Sequence, residues 1–410
     1  MSGDPIIHTG TAPTRPIRLV TAYDLRRSRL MVFFRILLAL PHIVWILLWT
    51  LVAILAGLLN WLVTLVAGQS PAGLHEFLAR YVRYGVHLNA FLFGGANQFP
   101  GFAGAAGSYP IDLHVDPPAP QRRVGVFFRL VLALPALILS SVLSGGGVGV
   151  NDIGFYSIGV LAVAGFLGWF ASLFTARMPA GLEHAVAYAI GYQAQASGYL
   201  LVLTDRYPDS NPALIEAPEL VGPHPVRLRV TDDLRRSRLT VAFRLLLALP
   251  HIVWLTLWGV AAVLVALIGW FSALFTGRLP ASFHGFLSAY LRYSTQVTAY
   301  LMLVANPFPG FVPADDRPYP VELEIDDPAR QNRWVVFFRI WLVLPAAILG
   351  AAYGGALGVV AILGWFASLF TGRMPEQLRN LGAAVQRYSG QYYAYVLLLT
   401  DRYPYTGPAS

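Results

Sequence analysis

The stretch "VVFFRIWLVLP", residues 335–345, sets the fold class of this chain. Ten of its eleven residues are apolar or aromatic, and the remaining one is Arg339. A lone charge in such a run is costly if it lies in hydrocarbon. The same pattern, an arginine followed six residues later by a proline, recurs at Arg35, Arg129 and Arg244. The stretch therefore belongs to a unit that occurs four times.

The composition is that of a membrane protein. The 410-residue chain is 56% hydrophobic and only 12% charged, which is about half the charged share of a soluble protein. Its apolar runs, at 30–68, 124–175, 239–276 and 334–371, are long enough to cross a bilayer as helices. We predict an all-α polytopic protein of the cell membrane with both termini in the cytoplasm. The first 29 residues are polar, so the first run is expected to stay in the mature protein.

Charge and motifs restrict the chemistry. The chain has no cysteine, all 29 basic residues are arginine, and the net charge is +8, which suits contact with anionic phospholipids. The sequence contains no G-x-S-x-G, no spaced zinc motif and no nucleophile with a nearby base. His42 and His251, which follow the proline in copies 1 and 3, are interpreted as packing or capping residues rather than ligands. We expect no enzymatic activity, no cofactor, no metal and no nucleic-acid partner.

Four tandem units account for most of the chain. We place them at 15–103, 109–208, 225–311 and 319–405, with a Gly-rich insertion at 144–157 in the second. Each unit has a second arginine six residues before the first, then a tryptophan, a proline and a tyrosine at fixed spacing. Copies 1 and 3 resemble each other most, as do copies 2 and 4, which indicates a duplication of a duplication. The boundaries are expected near 104–108, 209–224 and 312–318.

Each unit opens with an alternating segment that predicts a short strand: "IRLV", "IDLHV", "VRLRV" and "VELEI". The polar positions carry arginine in the first and third segments and carboxylates in the second and fourth. Opposite charges favour cross-strand pairing, so we predict a small cytoplasmic β cap. Four solvated linkers are the alternative.

The apolar run that follows has about 38 residues and would be about 57 Å long as one helix, nearly twice the hydrocarbon thickness. Copy 2 has 14 extra residues in this run, in the Gly-rich insertion. Because insertions go into loops, we predict helical hairpins with turns at 49–53, 144–157, 259–262 and 350–355. About eight transmembrane helices result, with Asp152 outside and all arginine clusters inside. All units then share one orientation, with the pseudo-symmetry axis along the membrane normal.

The unit closes with a segment such as "FHGFLSAYLRYSTQVTAYLMLV", residues 283–304, whose tyrosines share one face of a helix. We predict an amphipathic helix lying in the headgroup region. The alternative is a second membrane crossing, paired with a single long helix in place of the hairpin.

The arginines are the candidate functional residues. An arginine near the end of a crossing can extend its side chain to the headgroups and anchor the helix at that depth. Two arginines per unit could also bind phosphates, whereas an ion or proton path is poorly supported because the apolar runs lack carboxylates. The candidate lipid-phosphate or partner contacts are Arg29, Arg35, Arg123, Arg129, Arg238, Arg244, Arg333 and Arg339.

The arginine–LP run, the "GWF…TGR[ML]P" turn and the terminal "TDRYP" resemble an actinobacterial integral membrane protein family catalogued only as a domain of unknown function, here in four tandem copies. The resemblance covers nearly the whole chain and implies a membrane fold without implying an activity. We expect a non-enzymatic membrane scaffold or accessory protein that binds lipid or another membrane protein. A transporter or channel with its pathway between the repeats is the alternative, and an enzyme comes third.

Overall fold

The computed structural model describes residues 15–145, 158–215, 223–311 and 319–407. Most of the predicted turn and insertion of copy 2 at 144–157, which includes Asp152, lies outside these ranges. The boundary at 312–318 and part of the boundary at 209–224 also lie outside them. Within them the protein is mostly helical, with four short strands.

The helices fall into two classes. The long helices are α1 (Arg29–Ala67), α7 (Arg238–Thr276) and α9 (Arg333–Thr371), and their counterpart in copy 2 comprises α3 (Arg123–Phe127), α4 (Arg129–Ser144) and α5 (Val160–Thr175). The short helices are α2 (Ala72–Leu92), α6 (Ala180–Leu200), α8 (Ala281–Leu301) and α10 (Glu376–Val396). The strands are β1 (Ile17–Thr21), β2 (Ile111–Val115), β3 (Val226–Val230) and β4 (Val321–Ile325).

The predicted hairpin turns at 49–53, 259–262 and 350–355 are wrong. The helices α1, α7 and α9 each run unbroken through 39 residues, as the alternative with a single long helix required. Leucine, alanine and other apolar residues continue through the expected turns, and each helix tolerates one internal proline. Capping is found only at the two ends: Ser28 accepts from the Met31 amide, and Gly68 adopts the left-handed conformation that closes a helix.

Copy 2 keeps the same long path despite its insertion. Two glycines, Gly145 at the end of α4 and Gly159 before α5, are so close that a Cβ on Gly159 would lie 2.2 Å from the Gly145 nitrogen. Helix α5 therefore begins where α4 ends. Helices α4 and α5 lie end to end although the insertion separates them in the sequence. The position of the insertion therefore did not indicate a hairpin turn in the other copies.

The long helices of consecutive units run in opposite directions. At the end of α1, Trp61 Nε1 donates to the Val126 carbonyl near the start of the copy 2 helices (2.7 Å). At the other end, Trp169 Nε1 in α5 donates to the Val32 carbonyl near the start of α1 (2.8 Å). Helix α1 and its copy 2 counterpart are thus antiparallel. Trp270 and Trp365 make the matching contacts between α7 and α9.

The predicted strands are confirmed, as two separate two-stranded sheets, whereas the predicted charge pairing is confirmed only in the second sheet. Strand β1 pairs with β2 and β3 pairs with β4, both antiparallel. In the first sheet Arg18 lies opposite His114 and Asp112 lies opposite Val20. In the second sheet Arg227 lies opposite Glu324 and Arg229 opposite Glu322. Both arginines form ion pairs with these glutamates.

Each pair of units forms three layers: the long helices, the short helices and the two-stranded sheet. The layers are stacked in a direction perpendicular to the long helices. The Thr50 hydroxyl, near the middle of α1, hydrogen-bonds Tyr81 near the middle of α2 (2.9 Å). On another side of α2, Arg83 Nε donates to the Leu113 carbonyl in β2 (2.9 Å). In the second pair, Arg292 Nε donates to Leu323 in β4 (3.2 Å). The short helices therefore lie between the long helices and the sheets.

The two pairs of units lie side by side. Helix α9 packs against α4 and α5, and the short 3₁₀ helix Pro212–Leu214 contacts α10. The long helices of one pair therefore contact the long helices of the other, and the chain that follows α6 contacts a short helix of the second pair. Both sheets consequently lie on the same side of the molecule.

A charge reversal should test the pairing of β3 with β4. Arg229→Glu places like charges opposite each other and should lower the thermal midpoint in detergent, by about 2 °C at most because the pair is exposed. Adding Glu322→Arg should restore most of the loss. Equal midpoints for both single variants and the double variant would contradict a contribution of this pair.

Candidate functional site

The four arginines inside the long-helix pattern are buried. Arg35, Arg129, Arg244 and Arg339 are each at most 4% exposed. Their guanidinium groups do not reach the surface of the protein. This burial removes them from the candidate lipid contacts and excludes the headgroup anchoring that the sequence suggested for them.

Each buried guanidinium binds the turn that follows the short helix of its own unit. Arg244 donates to the carbonyls of Tyr300 and Ala305 and to the Asn306 side chain (3.0 and 3.2 Å for the last two). Its guanidinium also lies over the Tyr300 ring, 4.4 Å from the centroid. Arg339 repeats this arrangement in copy 4. The arginine fork closes a polar turn that would otherwise have unpaired carbonyls.

These turns contain backbone in the left-handed region. Each unit has an Asn or Asp at the same place in this turn, namely Asn97, Asp205, Asn306 and Asp401. The residue three positions earlier has a positive φ in every unit, and these residues are Gly94 (φ 84°), Val202 (60°), Leu303 (62°) and Leu398 (63°). Glycine adopts this conformation freely, whereas it is strained for a β-branched residue such as Val202. The contacts around the turn therefore hold the backbone against this preference.

A second side chain holds each turn, and sequence reasoning missed it. The residue eight positions before the buried arginine donates to the carbonyl of the left-handed residue. The four contacts are Arg27 to Gly94, Gln121 to Val202, Arg236 to Leu303 and Gln331 to Leu398. The alternation of Arg and Gln follows the duplication pattern, so the repeat register itself carried the signal.

Arginine and glutamine at the position eight residues before the buried arginine have different side-chain partners. The Gln121 side chain also accepts from Arg129 (2.6 Å). Arg27 instead pairs with Glu183 of the neighbouring unit at 2.9 Å, with both side chains almost fully buried. Burial raises the pKa of Glu183 to about 8, although the attraction of Arg27 opposes this shift. In copy 3, Asp232 plays the same part for Arg236 (2.8 Å).

The outer arginine of each unit is exposed and lies at an end of the long helices. Arg29, at the start of α1, donates to the Phe174 carbonyl at the end of α5 (2.8 Å). Arg123 lies beside Gly68 at the opposite end of α1. Cations near helix C-termini are favourable because free carbonyls point outward there. We call Arg29, Arg123, Arg238 and Arg333 the end arginines.

The long helices carry a large uncovered apolar surface. In α1 the exposed side chains extend from Leu30 (70% exposed) through Leu51 (64%) to Val66 (75%). Helices α3, α4, α5, α7 and α9 expose similar residues. We call these side chains the apolar face. Soluble monomers rarely expose apolar patches of more than a few hundred Å², and the helices α1, α7 and α9 are long and apolar enough to cross a membrane.

Several histidines and carboxylates elsewhere have structural partners. His42 Nδ1 is 2.7 Å from the Tyr84 hydroxyl, and its ring stacks on Phe102. Burial acts to raise the pKa of Asp112, but hydrogen bonds from His87 and from backbone amides outweigh this effect and lower it. Among the described residues, no group of three or more His, Asp or Glu is placed to hold a metal ion.

Two of the clefts that adjoin the short helices differ in size and lining. The first lies where α2 and α6 cross, has a volume of about 120 Å³ and is lined by residues such as Gly85 and Gln193. The second has a volume of about 490 Å³ and lies between the two pairs of units, where Phe170 and Leu349 are among its apolar lining residues. The larger cleft is suited to apolar groups.

Comparison with known families agrees with the four-unit organisation. The model of a family described as "Domain of unknown function (DUF4389)" matches residues 29–103, 153–210, 238–312 and 333–406. No curated protein and no solved structure matches the chain.

Proposed function

We propose, from the premise that this chain belongs to the DUF4389 family, that it is a non-enzymatic membrane scaffold or accessory protein that binds lipid through its apolar face. The observation that carries this proposal is the exposure of large apolar residues along the full length of α1, α7 and α9. Water is a poor solvent for such a surface, and acyl chains are a good one.

Anionic phospholipids are the proposed polar ligands, and the end arginines are the proposed contacts. Their side chains are exposed at the border of the apolar face. A guanidinium placed beside acyl chains meets the phosphate groups of the same lipid, which it binds as a planar fork. The buried arginines take no part in this contact.

The position of the polar groups supports a scaffold better than a transporter. A transport pathway between repeats needs polar groups along an open route. The guanidinium groups of Arg35, Arg129, Arg244 and Arg339 bind backbone carbonyls, and the cleft between α2 and α6 is small. The larger cleft is mainly apolar, which favours a lipid chain over a hydrated solute.

Removing end arginines should reduce the retention of anionic lipid. In Arg123→Gln with Arg333→Gln, the ratio of anionic to zwitterionic phospholipid that copurifies in mild detergent should fall several-fold, because each arginine near an anionic surface contributes about 1 kcal/mol. Native mass spectrometry measures this ratio. The control, Arg227→Gln with Arg229→Gln, removes the same charge from the sheet.

The two double variants separate a specific contact from net charge. Unchanged lipid composition in the variant of Arg123 and Arg333 would contradict a role for the end arginines. An equal loss in the control would show that total charge determines retention.

A further inference from the structure

We infer that the long helices lie in the plane of the membrane, with the apolar face in the hydrocarbon of one leaflet and the sheets in water. The inference rests on the proposed function and adds the geometry of binding, which differs from that of a polytopic protein. Three independent observations support it, and they concern length, layering and charge.

The apolar face is too long for a helix that crosses the bilayer upright. Exposed apolar residues continue from Leu30 to Val66 in α1, a distance of about 54 Å along the helix. The hydrocarbon core is only about 30 Å thick. An upright α1 would expose about 24 Å of apolar surface to headgroups and water. A helix in the plane has no such limit on its length.

The layering places charge where an upright protein could not tolerate it. Thr50, near the middle of α1, contacts Tyr81 near the middle of α2, and the neighbouring Arg83 contacts β2. The sheets are therefore over the middle of the long helices. In an upright protein the exposed Arg229 and Glu322 of the matching second sheet would lie at the bilayer midplane, where charged groups are costly.

The end arginines occur at both ends of the long helices. Arg29 is at the start of α1, and Arg123 lies beside Gly68 at its end. An upright orientation would place one on each side of the membrane, contrary to the bias of basic residues toward the cytoplasmic side. In the plane, both ends lie at the headgroup level of the same leaflet and both arginines reach its phosphates.

The apolar face is covered by the lipid leaflet and not by another protein. An exposed tryptophan, Trp334 (72% exposed), lies directly beside the end arginine Arg333 at the start of α9. Tryptophan and arginine together are enriched at the membrane–water interface. A helix with one apolar side and a polar covering on the other is also the arrangement that lies in this interface.

Cysteine labelling tests the geometry in a chain that has no cysteine of its own. Three exposed polar positions serve as labelling sites: Asp24 before α1, His114 in β2 and Arg122 before α3. Each is replaced singly by cysteine, and a membrane-impermeant maleimide is applied to intact cells and then to lysed cells. Leu51→Cys reports on the apolar face itself.

We expect the three polar positions to behave alike, labelled together in intact cells or together only after lysis. Leu51→Cys should stay at least tenfold less reactive than His114→Cys until detergent is added. Labelling of Asp24→Cys and Arg122→Cys from opposite sides, with His114→Cys protected, would overturn the in-plane geometry and leave lipid binding intact. Rapid labelling of Leu51→Cys in membranes would instead contradict the proposed lipid contact.

Discussion

Replacing Arg339 with leucine should lower the free energy of unfolding by about 3–5 kcal/mol, because several buried groups lose their partner together. The Arg339 guanidinium donates to the carbonyls of Tyr395 and Thr400 and to the Gln331 side chain. Each acceptor left unpaired in a buried site costs about 1–3 kcal/mol. Thermal unfolding in detergent measures the loss.

Lysine should rescue only part of this stability. Its ammonium is a point charge that cannot match the fork geometry of arginine, so Arg339→Lys should unfold between the wild type and Arg339→Leu. The exposed Arg333, six residues earlier on the same helix, provides the matched control: Arg333→Leu should change stability by less than about 1 kcal/mol. Anionic lipid retention should show the opposite order, with a loss in Arg333→Leu and none in Arg339→Leu. Lipid loss in Arg339→Leu without destabilisation would contradict the structural role.

The second large effect is expected at Glu183, which accepts from Arg27 between two units. Glu183→Ala leaves a buried guanidinium without its side-chain acceptor and should destabilise the protein by about 1–3 kcal/mol, because the raised pKa keeps this carboxyl largely protonated at neutral pH and the variant loses a hydrogen bond rather than a full ion pair. Glu76→Ala is the matched control, because Glu76 also pairs with an arginine, Arg80, but both side chains are 55% exposed. That variant should remain within about 0.5 kcal/mol of the wild type.

The pH dependence provides a second measurement for Glu183. Folding raises the pKa of this carboxyl from 4.5 to about 8, so the folded state binds the proton more tightly than the unfolded state. Its contribution to stability is therefore largest below about pH 4.5 and falls as the pH rises toward 8. Glu183→Gln keeps an acceptor and removes the titration, so the thermal midpoint should depend less on pH. An unchanged pH dependence would show that Glu183 is not the titrating group.

The local features of the fold were predictable from the sequence. Alternation marked the four strands, and in the second sheet the pairs Arg227–Glu324 and Arg229–Glu322 follow the predicted complementarity of charge. The repeat register was equally informative, because it aligned the buried arginines and the turns that they bind. These signals depend on neighbouring residues or on a constant spacing, both of which are visible in a single chain.

The position of the long helices was not predictable in the same way. The hairpin prediction assumed that an insertion marks a turn common to all copies, whereas Gly145 and Gly159 bring α4 and α5 end to end around it. The partners of the buried arginines are equally distant in sequence: the Ala305 carbonyl is 61 residues from Arg244. A charge in an apolar run looks the same whether lipid phosphate or a folded turn binds it.

Oriented bilayers offer the most direct test of the account. Polarised infrared spectroscopy of the reconstituted protein reports the angle between the helix axes and the membrane normal, and the long helices dominate the signal. We expect an average angle near 90°, with the amide I dichroism of helices that lie in the plane. Dichroism with the helix axes within about 40° of the normal, the range of membrane-crossing helices, would contradict the in-plane orientation.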